Sequence, residues 1–226
     1  MRAGNKSYSG PADIPSTLPL FPLSGTVLLP QAQMPLNIFE PRYVAMIDAA
    51  MRGDRMIGMI QPDFEEGGAS AQEIPPLVSV GCAGRIVALQ ETGDGRYLVS
   101  LTGVARFTLE EELETVTPFR IGRISSEAFP GDFEAGRGEG EVDRDGLIRT
   151  LKTYLDANDL EADWSSIERA STEVLVNALS IMSPYGPAEK QALLEAPDLR
   201  TRAETLVALT EVDMARKQGD DGVILQ

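Results

Sequence analysis

Histidine is absent from this 226-residue chain, and Cys82 is its one cysteine. Without histidine there can be no Ser-His-Asp or Cys-His nucleophile pair, no imidazole general base and no His-ligated zinc. A lone thiol leaves neither an internal disulfide nor a Cys-rich metal site. Long apolar runs are missing too. The most apolar stretch, Leu18 to Phe39, is broken by Pro19, Pro22, Pro30 and Pro35, and nowhere are there the roughly 20 consecutive apolar residues of a membrane span. The N-terminus has no short apolar core of a secretory signal. Positive charge is also scarce: 20 Lys and Arg stand against 35 Asp and Glu, a net charge of −15. Nucleic-acid binding normally rests on a positive surface, so the overall balance points away from it. These absences describe a soluble, acidic, cytoplasmic protein without membrane association, whose catalysis would have to come from carboxylates, Lys, Tyr or Ser.

What is present suffices for a folded core. Apolar residues make up 42% of the chain, and chains of this length bury roughly 70% of their extended surface. Charge divides the chain unevenly. Residues 1–126 hold 10 basic and 14 acidic side chains, residues 127–145 hold 2 and 7, and residues 146–226 hold 8 and 14. The middle segment also carries Gly131, Gly136, Gly138 and Gly140, which makes it an acidic, glycine-loosened linker. The expected organisation is a flexible N-terminus (1–14), a β-rich half with one helix (15–126), that linker (127–145), a helical half (146–217) and a tail (218–226).

In the first half, Leu18–Leu23, Met34–Phe39, Met56–Ile60, Val78–Gln90, Arg96–Thr102, Ala105–Leu113 and Phe119–Ser125 read as strands. Prolines assign the first two to edges or bulges. Gly81 and Gly84 mark bulges or close approaches, and Thr92-Gly93-Asp94-Gly95 supplies turn chemistry. Pro41 opens the one helix, with Tyr43, Val44, Ile47, Ala50 and Met51 on its buried face. In the second half, Leu147, Ile148, Leu151, Tyr154 and Leu155 form one helical stripe. Ser165-Ser166-Ile167-Glu168 has capping-box spacing, Pro184, Gly186 and Pro187 stop a helix, and Pro197-Asp198 opens the last one.

Chemical motifs are few. Gly136-Arg137-Gly138-Glu139-Gly140 follows no apolar strand, precedes no Lys-Ser/Thr and lies among carboxylates, so it is no phosphate loop. Glu141-Val142-Asp143-Arg144-Asp145-Gly146 begins like a calcium loop, but Lys152 occupies the position of the bidentate Glu; a helix N-terminus flanked by acids fits better. Cys82 in an apolar strand reads as a small buried side chain. Glu110-Glu111-Glu112 is a run with nothing to set its pKa values apart. No cofactor or metal is expected. Met46, Met51, Met56 and Met59 fall within fourteen residues. Thioethers either fill irregular core gaps or line surfaces that accept varied apolar partners. Amphipathic elements favour the core; a client surface, with Phe64 of the polar Pro62–Glu73 loop as an aromatic anchor, is the functional alternative.

An ordered series of motifs is more specific. Leu18-Pro19-Leu20-Phe21-Pro22-Leu23, Val27-Leu28-Leu29-Pro30 and Pro35-Leu36-Asn37-Ile38-Phe39-Glu40-Pro41-Arg42-Tyr43 resemble the opening of the Lon N-terminal (substrate-binding) domain family. The resemblance continues through Val80-Gly81-Cys82-Ala83-Gly84-Arg85-Ile86, Asp94-Gly95-Arg96-Tyr97, Leu101-Thr102-Gly103-Val104-Ala105-Arg106-Phe107, Glu189–Glu195 and Arg202–Leu206, roughly residues 15–212. It implies an α+β fold: a PUA-like β-rich pseudo-barrel followed by an α-helical bundle. It also implies a stand-alone, non-enzymatic binder of unfolded or exposed apolar polypeptide segments, working as an adaptor or modulator of protein quality control, in some settings beside a separate protease. An alternative is a PUA-like RNA-binding module using Arg85, Arg96, Arg106, Arg120 and Arg123. Clustering of these arginines on one face would favour RNA; dispersal into ion pairs would not.

Overall fold

Short apolar runs punctuated by Pro and Gly become strands, and the 3.6-residue stripes become helices. The computed structural model describes residues 1–63 and 75–221. Its strands are β1 (Arg2–Ala3), β2 (Lys6–Ser7), β3 (Thr17–Pro22), β4 (Gln33–Ile38), β5 (Met56–Ile60), β6 (Val80–Glu91), β7 (Tyr97–Leu113) and β8 (Arg120–Ser125). Its helices are α1 (Pro41–Arg52), α2 (Arg144–Ala157), α3 (Trp164–Arg169), α4 (Thr172–Met182), α5 (Pro187–Glu195) and α6 (Leu199–Asp221). They fall into two units: residues 1–135 with 185–194, and residues 136–184 with those from 195 onward.

In the first unit, β3 to β8 form a mixed sheet in the order β4-β7-β6-β5-β3-β8, in which β3 and β5 are parallel. The long strand β7 also pairs with β8, so the pairings run in a closed circuit through β7, β6, β5, β3 and β8. Every residue of β5 is buried, as expected for a strand flanked on both sides and covered on both faces. Phe107 of β7 fills the interior. A Cβ on Gly81 would lie 2.5 Å from the Phe107 ring and 2.6 Å from the Met59 carbonyl oxygen, so glycine is what admits the ring there. The close-approach reading of Gly81 holds, and a register shift falls at Ala83/Gly84. Pro35 lies in an edge strand, as its missing N–H requires. β3 is interior instead, yet its pairing with β5 covers only Leu20–Pro22, so Pro19 has a strand partner on the β8 side alone.

Four local expectations need correction. Residues 1–14 are not a loose leader, because Ala3, Tyr8 and Ile14 are buried in the core. The Tyr8 hydroxyl donates to Met56 Sδ (3.7 Å) and accepts from Arg85 Nη1 (3.3 Å). Residues 127–145 are not a featureless linker either. They carry 3-10 turns at Pro130–Phe133 and Glu139–Glu141, and Phe133 is buried. Asp132 closes a buried ion pair with Arg106 (2.7 Å), whose guanidinium also donates to the Leu194 carbonyl (3.2 Å) and lies over the Phe129 ring. Of the segment's carboxylates, Asp132 is the one buried in this pairing. The two strands expected over 96–113 are one continuous strand. The helix expected to start at Ser165 is capped by Asp163, which accepts from the Ser166 N–H and from both the Ser165 and Ser166 hydroxyls.

Segment 185–194 belongs to the β-rich unit for a visible reason. Buried Gln61 donates through Nε2 to the Pro187 carbonyl (2.9 Å) and to Gln191 Oε1 (3.0 Å), while its own oxygen accepts from the Gly25 N–H (2.7 Å). Gln191 in turn donates to the Val80 carbonyl (3.0 Å). In the second unit, Asp143 caps α2 and Ser171 caps α4. Arg144 collects the last carbonyls of α3, donating to Ile167 and Ala170 at 2.8 Å each, a cation placed where a helix C-terminus favours one. Among the described residues no helix is long and apolar enough to cross a membrane.

Candidate functional site

The methionine cluster is interior. On α1, Tyr43, Met46, Ile47 and Ala50 are the buried stripe, with Met46 fully enclosed. Met51 is half-buried at the border of that stripe. Met56 and Met59 lie on β5, between β3 and β6, and are 2% and 1% exposed. Met46, Met56 and Met59 therefore cannot meet a client without the core opening, which corrects their assignment to a binding surface. Phe64 and all but the first two residues of its loop lie outside the described residues.

An exposed apolar surface does exist, on the outer face of β4, β7 and β6. Along β4, Met34 and Ile38 point into the core and Gln33, Pro35 and Asn37 point out, the alternation of a half-buried strand. Phe39 follows in the outward phase and is 60% exposed. Asn37 lies opposite Leu98 of β7, which lies opposite Gln90 of β6; one step on, Pro35, Ser100 and Ala88 form the next row. Leu98 is 46% exposed, and Val87 reaches the surface at the irregularity between Ile86 and Ala88. These rows border a groove of about 550 Å³ lined by Pro35, Asn37, Ala88, Gln90, Leu98 and Ser100, and by the intervening row Leu36, Val99 and Leu89, whose side chains alternate to the other face. None of the nine carries a charge. Apolar side chains there can take up alkyl or aromatic groups, and two amides and a hydroxyl can pair with peptide N–H and C=O groups. The opposite face of β7 is tied to α1 by the Tyr97 hydroxyl, which donates to Asp48 Oδ1 (2.9 Å); that bond raises the phenol pKa.

The signal for this groove is in the sequence. Tyr97, Val99 and Leu101 share one face, which sends Leu98 to the other. Phe39 continues the polar phase of its strand, where a large apolar side chain is out of place for packing. Elsewhere the arrangement offers little chemistry. Cys82 is buried in β6, and no group of three or more His, Cys, Asp or Glu among the described residues could hold a metal ion. The five arginines put forward for RNA binding are engaged one by one. Arg96 pairs with Asp94, Arg106 with Asp132, Arg120 with Glu112 and Arg123 with Glu111. Arg85 donates to Tyr8 and to the Asp54 carbonyl.

Comparison with known proteins agrees with this architecture. A family model described as the ATP-dependent protease La (LON) substrate-binding domain matches residues 17–211, and the chain belongs to that family. Lon protease 2 of Myxococcus xanthus is 28% identical over 207 residues, covering 87% of this chain and 24% of that protein. Lon protease 2 of Sorangium cellulosum (strain So ce56) is 28% identical over 217 residues, 90% of this chain and 25% of that protein. The chain thus spans about a quarter of the length of these curated relatives. Among solved structures, a Lon N-terminal domain protein from Xanthomonas campestris is similar with a TM-score of 0.56 and 25% identity, over 85% of this chain and 97% of that one. The N-terminal domain of Mycobacterium avium complex Lon protease shares the fold, with a TM-score of 0.58 at 19% identity over 86% and 98% of the two chains. The fold is that of a Lon N-terminal domain, α+β with a mixed sheet and several helices.

Proposed function

We propose that this protein binds extended, apolar segments of unfolded polypeptides in the groove on the outer face of β4, β7 and β6, and that it does so without catalysis. The observation that carries this is the absence of charge from all nine lining residues in a chain of net charge −15. On so acidic a surface, an uncharged apolar strip beside exposed Phe39 and Leu98 has a use that packing does not explain. Membership in a substrate-binding domain family supports polypeptide as the ligand class. We further infer that the closed strand circuit is a PUA-like pseudo-barrel, that the second unit is a small helical bundle, and that the protein serves cytoplasmic protein quality control as an adaptor, presenting clients to a separate protease or withholding them from it. The dispersal of Arg96, Arg106, Arg120 and Arg123 into separate ion pairs weighs against the RNA-binding alternative.

The test is a titration with a permanently unfolded, reduced and alkylated polypeptide. Leu98→Asp and Phe39→Ser each place polarity at an exposed position, so thermal unfolding should stay within about 0.5 kcal/mol of the parent. Binding should weaken by about tenfold or more, as expected when a buried apolar contact at an interface centre is lost. Unchanged affinity in both variants would move the client site elsewhere.

A further inference from the structure

The second unit carries a different groove. Helices α2 and α6 pack through buried Leu147 and Ala203, and beside that contact lies a cavity of about 670 Å³. Its apolar lining is Val142, Leu147, Ala203, Val207 and Ala208, with Gly146 and Thr150 keeping the α2 wall low. The α6 wall is Arg200, Ala203, Glu204, Val207, Ala208 and Glu211. These fall at i, i+3, i+4, i+7, i+8 and i+11, one continuous face about 16 Å long, or three helical turns.

The rim decides what fits. Glu141, Asp143, Glu204 and Glu211 face the groove against two cations, Arg149 and Arg200. Both cations are already taken: Arg200 Nε bonds Glu204 Oε1 at 2.8 Å, and Arg149 lies 3.9 Å from Asp143. Glu141 and Glu211 make no ion pair within 4 Å among the described residues, although Glu141 lies in the field of Arg200. They also lie at opposite ends. The 3-10 turn containing Glu141 sits against the start of α6, where Gly138 faces Leu199, and Glu211 is three turns further along.

We propose that this groove docks a cationic amphipathic helix of another polypeptide. Its apolar residues, spaced i and i+4, would enter between α2 and α6 over Val207 and Ala208, and Lys or Arg near its two ends would meet Glu141 and Glu211. A helix of three to four turns matches the length of the α6 face, which is the usual way an amphipathic helix occupies a groove. An acidic or uncharged helix would meet the same apolar floor but leave both carboxylates unpaired or repelled, so the rim selects by charge. This site is formed within the second unit and does not depend on the sheet groove.

The experiment is fluorescence anisotropy of the full chain with a labelled 16-residue Leu/Lys amphipathic peptide, and with its Leu/Glu counterpart. The Leu/Lys peptide should bind saturably and lose affinity as salt is raised; the Leu/Glu peptide should not bind. The double variant Glu141→Gln/Glu211→Gln, altered at exposed positions, should keep its thermal midpoint and bind the Leu/Lys peptide about fivefold to tenfold more weakly. Ala208→Arg, which fills the groove from an exposed position, should abolish binding, whereas Val116→Ser, exposed and outside both grooves, should leave it unchanged. The proposal is overturned if both peptides bind equally, if the Leu/Lys peptide does not saturate, or if both groove variants bind it like the parent.

Discussion

Arg106 shows how one buried charge organises its neighbourhood. Its backbone N–H and Nε both donate to Asp132 Oδ2 (2.8 and 2.9 Å), Nη2 donates to Oδ1 (2.7 Å) and Nη1 reaches the Leu194 carbonyl. The two side chains are 5% and 7% exposed. Removing one partner strands the other without water, so Arg106→Ala should cost about 3–5 kcal/mol in denaturant unfolding. Arg106→Met with Asp132→Leu should recover part of that loss, since an apolar pair leaves no buried charge behind. Lys190 makes a pH-dependent case. It is 2% exposed, and burial lowers its pKa from 10.5 to about 8. Between those values the unfolded chain binds more protons than the folded one. Stability therefore rises with pH through that window, and the penalty on the charged form is fully present below about pH 8. Relative to Lys190→Met, which has no group to titrate there, the parent should gain stability on the order of 2 kcal/mol as pH rises from 7 through that window. A constant difference between the two would show that Lys190 does not titrate as its burial requires.

Elements were legible wherever local signals agreed. Pro41 and the Tyr43–Ala50 stripe define α1, the all-apolar Met56–Ile60 run defines β5, and the Asp94-Gly95 turn joins β6 to β7. What escaped the sequence depends on partners distant along the chain. The acidic, glycine-rich stretch from 127 to 145 is ordered by Arg106, more than twenty residues away, and by Glu173, which accepts from the Gly136 N–H (2.8 Å) and donates its own N–H to Glu139 (2.9 Å). Composition alone favours disorder there. Similarly, α5 lies inside the expected helical half (146–217), yet residues 185–194 belong to the β-rich unit, because Gln61 and Gln191 hold them. Methionine clustering was ambiguous by nature, since the same flexibility suits core and surface; the covered faces of β5 decide for the core. The outward phase of Phe39 and Leu98 was readable from period-2 alternation alone. At this scale, Gln61→Leu should leave the Gly25 N–H and Gln191 amide short of partners and cost about 1–3 kcal/mol. Amides of 187–194 should exchange faster than those of β6 and β7. Equal protection would mean that apolar packing alone retains the segment.

For the whole molecule, the proposed reading separates binding from chemistry. Hydrolysing a peptide bond requires an activated nucleophile with a base within hydrogen-bond distance, or a polarised water. The chain has no histidine, and its one thiol is sealed inside β6. Lys190, whose pKa of about 8 would suit a general base, is 2% exposed. The sheet groove is lined by alkyl groups, two amides and a hydroxyl, none of which gains or loses a proton near neutral pH. Such a surface can hold a peptide but cannot accept a proton from an attacking group. The purified chain should therefore bind unfolded casein with no release of fluorescent fragments, with or without ATP and Mg²⁺, and should hydrolyse no ATP. Leu98→Asp is the informative control, because a contaminating protease is indifferent to it. Casein turnover that persists through purification and disappears in Leu98→Asp would place catalysis in this chain and overturn the non-enzymatic reading. Turnover equal in both proteins and removed by further purification would come from a contaminant, and loss of casein binding in Leu98→Asp without any turnover is the expected outcome.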